Sequence, residues 1–171
     1  MNKQNRGKDF EAEIKRCLED VSNVSVDRLP DAMGGYSGVK NVCDFIAYHY
    51  PNNFYIECKC LYGNTLNYKS AISKNQWDGL ASKSKIKGCV AGVVVWFMDY
   101  DLTTFVSIQE LLAHRNKGAK SLNITDITGE DSLKHFLVDG VKKRVMYKYI
   151  GESFLYQLHK LAKFYWGDDV K

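Results

Sequence analysis

"CDFIAYHYPNNFYIECKC", residues 43–60, is a pair of apolar runs joined by a Pro-Asn-Asn segment, with Asp44, Glu57 and Lys59 set into them. A charge taken out of water without a partner is expensive, so charges inside runs this apolar need a reason. Pro and Asn in "YPNN" signal a turn, and the flanking runs read as two strands, 42–49 and 53–60. Side chains alternate along a strand. Phe54, Ile56, Cys58 and Cys60 therefore share one face, and Tyr55, Glu57 and Lys59 share the other. The glutamate and the lysine project together while their neighbours fill the core.

Upstream, residues 8–20 place Phe10, Ile14, Cys17 and Leu18 on one helical stripe. "VSVDRL" reads as a short strand, and the Gly-rich "PDAMGGYSGVKN" as an exposed loop. Downstream, residues 69–85 read as one amphipathic helix carrying Ile72, Gln76, Trp77 and Leu80. "CVAGVVVWFM" is a fully buried strand, "DYDL" a turn and "TTFVSI" its hairpin partner. "IQELLAHRNKG" is a short helix ended by Gly118. Residues 120–140 show no clear period. "KKRVMYKYI" reads as a late strand and "ESFLYQLHKLAKFYW" as a closing helix, with Phe154, Leu155, Leu158, Leu161, Ala162 and Tyr165 inward. This order predicts an α/β fold, a mixed sheet flanked by helices. At 171 residues one domain is expected, with residues 110–171 as a C-terminal extension of it.

Composition narrows the function. No apolar run approaches the ~18 residues of a membrane span, and "MNKQNRGKDFEAEIKR" has no apolar core of a secretory leader. A cytoplasmic protein without a membrane is expected. Its five cysteines are an odd number placed in apolar segments, which favours free thiols. Cys58 and Cys60 lack the second close pair of a zinc site. The four histidines are scattered, "GGYSG" lacks the Lys-Ser/Thr of a P-loop, and the three tryptophans read as core. The net charge of +4 is unevenly spread. Arg6 and Lys8 stand among five cations in the first sixteen residues, Lys69 and Lys74 among five in residues 69–87, and "VKKRVMYKY" is basic and aromatic together. Such clusters suit a polyanion, nucleic acid above all.

Two carboxylates and an ammonium at one spot suggest metal-assisted hydrolysis. Hard divalent cations take oxygen ligands, and Mg²⁺ commonly uses one or two carboxylates plus water and substrate phosphate. Asp44 and Glu57 would supply the carboxylates, the backbone carbonyl of Cys58 a third ligand, and Lys59 the positioning of water or developing charge. The bare spacing, Asp-x12-Glu-x-Lys, is weak. With about ten tolerated spacings it arises by chance in roughly a third of chains this long, and a structural ion pair on a sheet face explains it equally.

Context adds a resemblance. "NRGKDFE", "DRLPDAMGGYSGVKNVCDFIAY", "FYIECK" and "ISKNQWDGL" together resemble the PD-(D/E)xK nuclease superfamily. More narrowly, they resemble the RecU-type Holliday junction resolvases, with archaeal Hjc more distant, over residues 5 to about 98. The resemblance implies a restriction-endonuclease-like fold and a homodimer that cuts four-way DNA junctions symmetrically with Mg²⁺, or Mn²⁺ in its place. It carries catalytic roles onto Asp44, Glu57, Lys59, Glu11 and Gln76. Arg6, Lys8, Arg28, Lys69 and Lys74 would hold DNA phosphates. The chain departs from the family between Asp20 and Asp44, where about two dozen residues leave no room for a long stalk. The Gly-rich loop, with Tyr36 for stacking, would be its short substitute. Two other readings stand beside this one: a restriction or repair nuclease of the same fold acting on duplex DNA, and a catalytically silent DNA-binding module.

Overall fold

A computed structural model describes residues 3–29, 41–138 and 147–167. Helix α1 (Lys3–Glu19) leads into β1 (Ser25–Arg28), β2 (Phe45–His49) and β3 (Asn52–Leu61). The short strand β4 (Thr65–Asn67), helices α2 (Tyr68–Ala71) and α3 (Lys74–Lys83), and strand β5 (Cys89–Phe97) follow. Then come β6 (Leu102–Ser107), α4 (Ile108–Asn116), β7 (Ser121–Asn123), α5 (Thr125–Thr128), β8 (His135–Leu137) and α6 (Tyr147–Trp166).

Six strands form one mixed sheet in the order β1-β2-β3-β5-β6-β8, flanked by helices as the sequence predicts. Among its described strands only β3 and β5 run parallel. A parallel neighbour demands a crossover, and β4, α2 and α3 make it. β5 is buried along nearly its whole length because both faces of the sheet are covered there. Its residues alternate between two cores. Val90 and Val94 join Phe54, Ile56 and the inner faces of α1 and α6. Ala91, Val93, Val95 and Phe97 join Trp77 and Leu80 of α3 and Leu111 of α4 on the opposite side.

The first core rests on a close crossing of α1 and α6. The predicted stripe of α1 is fully inside, with Phe10, Ile14, Cys17 and Leu18 buried. The predicted face of α6 meets it, joined by Ile150 and Gly151. Gly151 makes the approach possible: a Cβ there would fall 1.8 Å from the Cys17 carbonyl oxygen.

Three expectations need correction. Residues 69–85 are not one helix but α2 and α3, broken at Ile72 and Ser73. Ser73 caps α3: its hydroxyl accepts from the Gln76 N–H at 3.2 Å, and the Gln76 side chain accepts from the Ser73 N–H at 2.9 Å. This reciprocal capping box starts a new helix rather than continuing an old one. Tyr147–Ile150, expected as strand, are the first turn of α6, while residues 142–146 lie outside the described residues. Asp44 precedes β2 rather than lying in it. Within 120–138, β7 pairs with β4 in a second sheet and β8 closes the main one.

Candidate active site

The strand alternation holds on β3. Phe54, Ile56 and Cys58 bury on the α1–α6 side, and Glu57 and Lys59 project on the other. Glu57 is a rarity, a carboxylate 1% exposed in the middle of a sheet. Its Oε1 takes two donors, the Lys59 ammonium at 2.6 Å and the Gln76 amide at 2.5 Å. Its Oε2 is buried without a hydrogen-bond partner among the described residues. Buried polar atoms are almost always satisfied by protein, water or an ion.

Asp44 is pinned by backbone on both sides. Its N–H donates to the Ile56 carbonyl at 3.1 Å, and its carbonyl accepts from Leu29 at 2.9 Å. Its Oδ2 accepts from the Cys58 N–H at 2.7 Å, which ties the carboxylate to the edge of β3 beside Glu57. A strand residue sends its N–H and C=O to the same side, so the Cys58 carbonyl leaves β3 toward Asp44. The Cys58 thiol, by contrast, lies in the core. Burial holds it well above the ordinary thiol range, with the charges of Asp44 and Glu57 adding to the effect.

The electrostatics are those of two carboxylates in one poorly solvated place. Burial pushes the Asp44 carboxyl up; the Cys58 N–H pulls it back and the Glu11 charge pushes it further. Burial also pushes the Glu57 carboxyl up, and the Asp44 charge adds to this while Lys59 opposes it. Neighbouring Cys43 is driven up to about 12 by burial, with Glu57 and then Asp44 contributing. A divalent cation between Asp44 and Glu57 would reverse the sign of this local field. Among the described residues no group of three or more His, Cys, Asp or Glu is arranged to hold a metal. The donor set fits a cation that keeps much of its water, as Mg²⁺ does. The unpartnered Oε2 of Glu57 is the atom such an ion would satisfy.

Glu11 lies close enough for its charge to act on Asp44, Glu57 and Cys60. It is engaged by Arg28, whose Nη2 donates to Glu11 Oε2 at 2.8 Å. Arg6 lies over the Tyr62 ring, 4.7 Å from its centroid. Both line a cleft with Cys60, Leu61 and Met98, at the end of β3 beyond Lys59. Tyr62 is half exposed, and its position just after the Glu-x-Lys strand is the signal the sequence carries for it. Lys8 is exposed on α1. Lys69 and Lys74 line a different cleft, alongside α3, and Lys74 pairs with Asp78. Tyr36 lies outside the described residues.

Elsewhere the fold brings together two of the histidines that the sequence scatters. His49 Nδ1 lies 2.7 Å from His159 Nε2, and Asn52 Nδ2 lies 2.8 Å from His159 Nδ1. Burial and then the neighbouring His49 hold the His159 imidazole below its ordinary value. No described helix is long and apolar enough to cross a membrane.

No protein-family model and no curated protein sequence matches the chain. Among solved structures it is similar to the 1.6 Å structure of Hjc, a Holliday junction resolvase from the archaeal hyperthermophile Archaeoglobus fulgidus. The match has 16% sequence identity and a TM-score of 0.42, and it covers 62% of this chain and 76% of that one.

Proposed function

We propose that the chain is a Mg²⁺-dependent DNA endonuclease that resolves four-way junctions by symmetric phosphodiester hydrolysis, acting as a homodimer in the cytoplasm. The observation that carries this reading is Glu57. A carboxylate almost wholly buried, with one oxygen hydrogen-bonded by both Lys59 and Gln76 and the other unpartnered among the described residues, beside a second, half-buried carboxylate, costs stability, and costs of this kind are kept where they serve chemistry. A surface ion pair between Glu57 and Lys59 would need none of that burial.

Asp44 and Glu57 would hold the metal, with the Cys58 carbonyl as a third oxygen. When bound, the ion supplies charge neutralisation and Lewis acidity at the scissile phosphate. The remaining work falls to the chain. Hydrolysis adds water across a P–O bond: the water oxygen bonds to phosphorus, and the leaving oxygen takes a proton. Lys59 would orient that water or stabilise the charge that develops on phosphate oxygens. Gln76 holds Glu57 in one orientation. Glu11, tied to Arg28, supports the site from α1. Arg6, Lys8 and Arg28 would contact phosphates, which positions a duplex without reading its sequence. The sequence resemblance to RecU-type resolvases supports the junction substrate, and a two-fold dimer would match a junction's own pseudo-symmetry.

The test uses a labelled mobile four-way junction and matched linear duplex, with Mg²⁺ or EDTA, beside Glu57→Ala. Paired symmetric nicks in the junction alone, lost in EDTA and in the variant, are expected. Equal cutting of duplex would discard junction selectivity and leave a duplex nuclease. Binding without cutting would leave a silent DNA-binding module.

A further inference from the structure

A cleft lies outside the candidate active site, between α2–α3 and the end of α4. Among the described residues four cations line it, Lys69, Lys74, Arg115 and Lys120, against one carboxylate, Asp78, which Lys74 engages. Its floor is apolar and rigid, built from Ile72, Tyr68 and Trp77, all buried. The Tyr68 ring meets the Trp77 ring edge-on at 5.4 Å. Two features hold the cations in place. The Arg115 guanidinium lies over Trp77, 4.7 Å from the ring centroid, and a guanidinium stacked on a ring keeps its N–H edges available for an anion. The Lys120 carbonyl accepts from the Tyr68 N–H at 3.0 Å, which fastens that segment to α2.

The cleft and the candidate active site share α3. Gln76 reaches Glu57 from one side of the helix, while its neighbour Trp77 lines the cleft on another. At ~1.5 Å per residue the ten-residue helix is ~15 Å long. A DNA strand presents about four phosphates over that length at ~3.4 Å each. The Glu57 contact at Gln76 and the cleft floor at Trp77 belong to adjacent residues of α3, so the two places lie within the reach of a few phosphates.

We propose that this cleft is a second phosphate-binding surface, and that Arg115 and Lys120 join Lys69 and Lys74 in gripping the DNA backbone a few nucleotides from the scissile bond. It rests on the nuclease reading of the Glu57 site. Phosphates, rather than bases, are the ligand, because the cations sit at the rim around a closed aromatic floor.

The test measures equilibrium binding of a labelled four-way junction by the full chain in EDTA, across a range of salt. The variants are Lys69→Ala/Lys120→Ala and a charge-matched control, Lys134→Ala/Lys160→Ala. Each lost phosphate contact lowers the slope of log K against log salt by ~0.9. The cleft variant should therefore lose ~1.8 of slope and about tenfold or more in affinity, with an unchanged thermal midpoint. The control should keep the wild-type slope. A cleft variant with the wild-type slope, or an equal loss in the control, overturns the proposal while wild-type binding and cutting leave the nuclease reading intact. A wild-type chain that neither binds nor cuts DNA defeats that reading, and this one with it. Arg115→Ala would also uncover Trp77 and so would mix a packing loss with the loss of charge.

Discussion

Gln76 donates to Glu57 Oε1 at 2.5 Å while its own carbonyl oxygen accepts from the Ser73 N–H at 2.9 Å. The helix cap thus fixes the amide's orientation. With Oε1 committed to Ser73, only the NH₂ group can face the carboxylate. One side chain starts α3 and orients the central residue of the candidate site.

The two roles can be separated. Gln76→Glu keeps a capping-box acceptor at the third helical position but sets a carboxylate against Glu57. Gln76→Ala loses both. Thermal melts should show the alanine variant destabilised by ~1–3 kcal/mol, the scale of two lost hydrogen bonds of which one is to a carboxylate, while the Ser73 hydroxyl keeps its bond to the backbone N–H of position 76. In Mg²⁺, junction cleavage by the glutamate variant should fall at least as far as in the alanine variant. Wild-type cleavage by Gln76→Glu would show that Gln76 does nothing for Glu57.

The raised carboxyl groups of Asp44 and Glu57 have a definite sign in stability. Unfolded Asp and Glu titrate near 3.9 and 4.3, whereas burial moves both higher in the fold. As pH rises through that interval the folded chain holds more protons than the unfolded one, so metal-free stability falls. The penalty is fully present once pH exceeds the folded values. Glu57→Gln should therefore lose less stability than wild type between pH 5 and pH 8, by about 1–3 kcal/mol, the scale of an unsatisfied buried polar group. A bound cation offsets the same penalty. Mg²⁺ should raise the wild-type melting temperature at pH 8 and leave Asp44→Asn/Glu57→Gln unmoved. Equal Mg²⁺ response in both would place the ion elsewhere.

Much of this site is legible along the chain because it depends on local rules. Alternation alone puts Glu57 and Lys59 together and sends Cys58 inward. The capping box at Ser73-x-x-Gln76 is legible too, but the apolar Ile72, Trp77 and Leu80 suggest a continuous helix across it. What the sequence conceals is long-range. β4 and β7 are three residues each and pair across more than fifty positions, too short for a period to appear. His49 and His159 meet across 110 residues. The β-prone tyrosines of 147–149 become helical because Ile150 and Gly151 pack against α1, a tertiary contact that overrides propensity.

Gly151 and Gly7 give opposite answers to one substitution. Alanine is favoured over glycine in a helix by up to ~1 kcal/mol. At Gly7 a Cβ meets nothing within 4 Å, so Gly7→Ala should be neutral or stabilising. At Gly151 the same atom would sit 1.8 Å from the Cys17 carbonyl oxygen and 2.7 Å from Val21 Cγ2. A backbone oxygen cannot rotate away, so α1 and α6 must separate. Overpacking of this kind costs ~1–3 kcal/mol or more, which exceeds the propensity gain. Denaturant midpoints should fall for Gly151→Ala and hold or rise for Gly7→Ala.

Lys59 distinguishes a catalytic charge from a structural one. Removing one partner of a buried ion pair costs up to ~3–5 kcal/mol, and less here because Lys59 keeps 23% of its side chain exposed. Lys59→Met retains the packed stem and removes the ammonium, so Glu57 loses its cation and stability falls. Glu57→Gln/Lys59→Met removes both charges and should recover most of that loss, since no uncompensated charge remains. Activity is read in the single variant, which keeps the Glu57 carboxylate. Single-turnover cleavage should drop ~10²–10³-fold in Lys59→Met, the scale for a lost group that stabilises a transition state, while junction binding in EDTA persists. Lys59→Met that loses stability but cleaves at the wild-type rate would make Lys59 a counter-ion for Glu57 and nothing more.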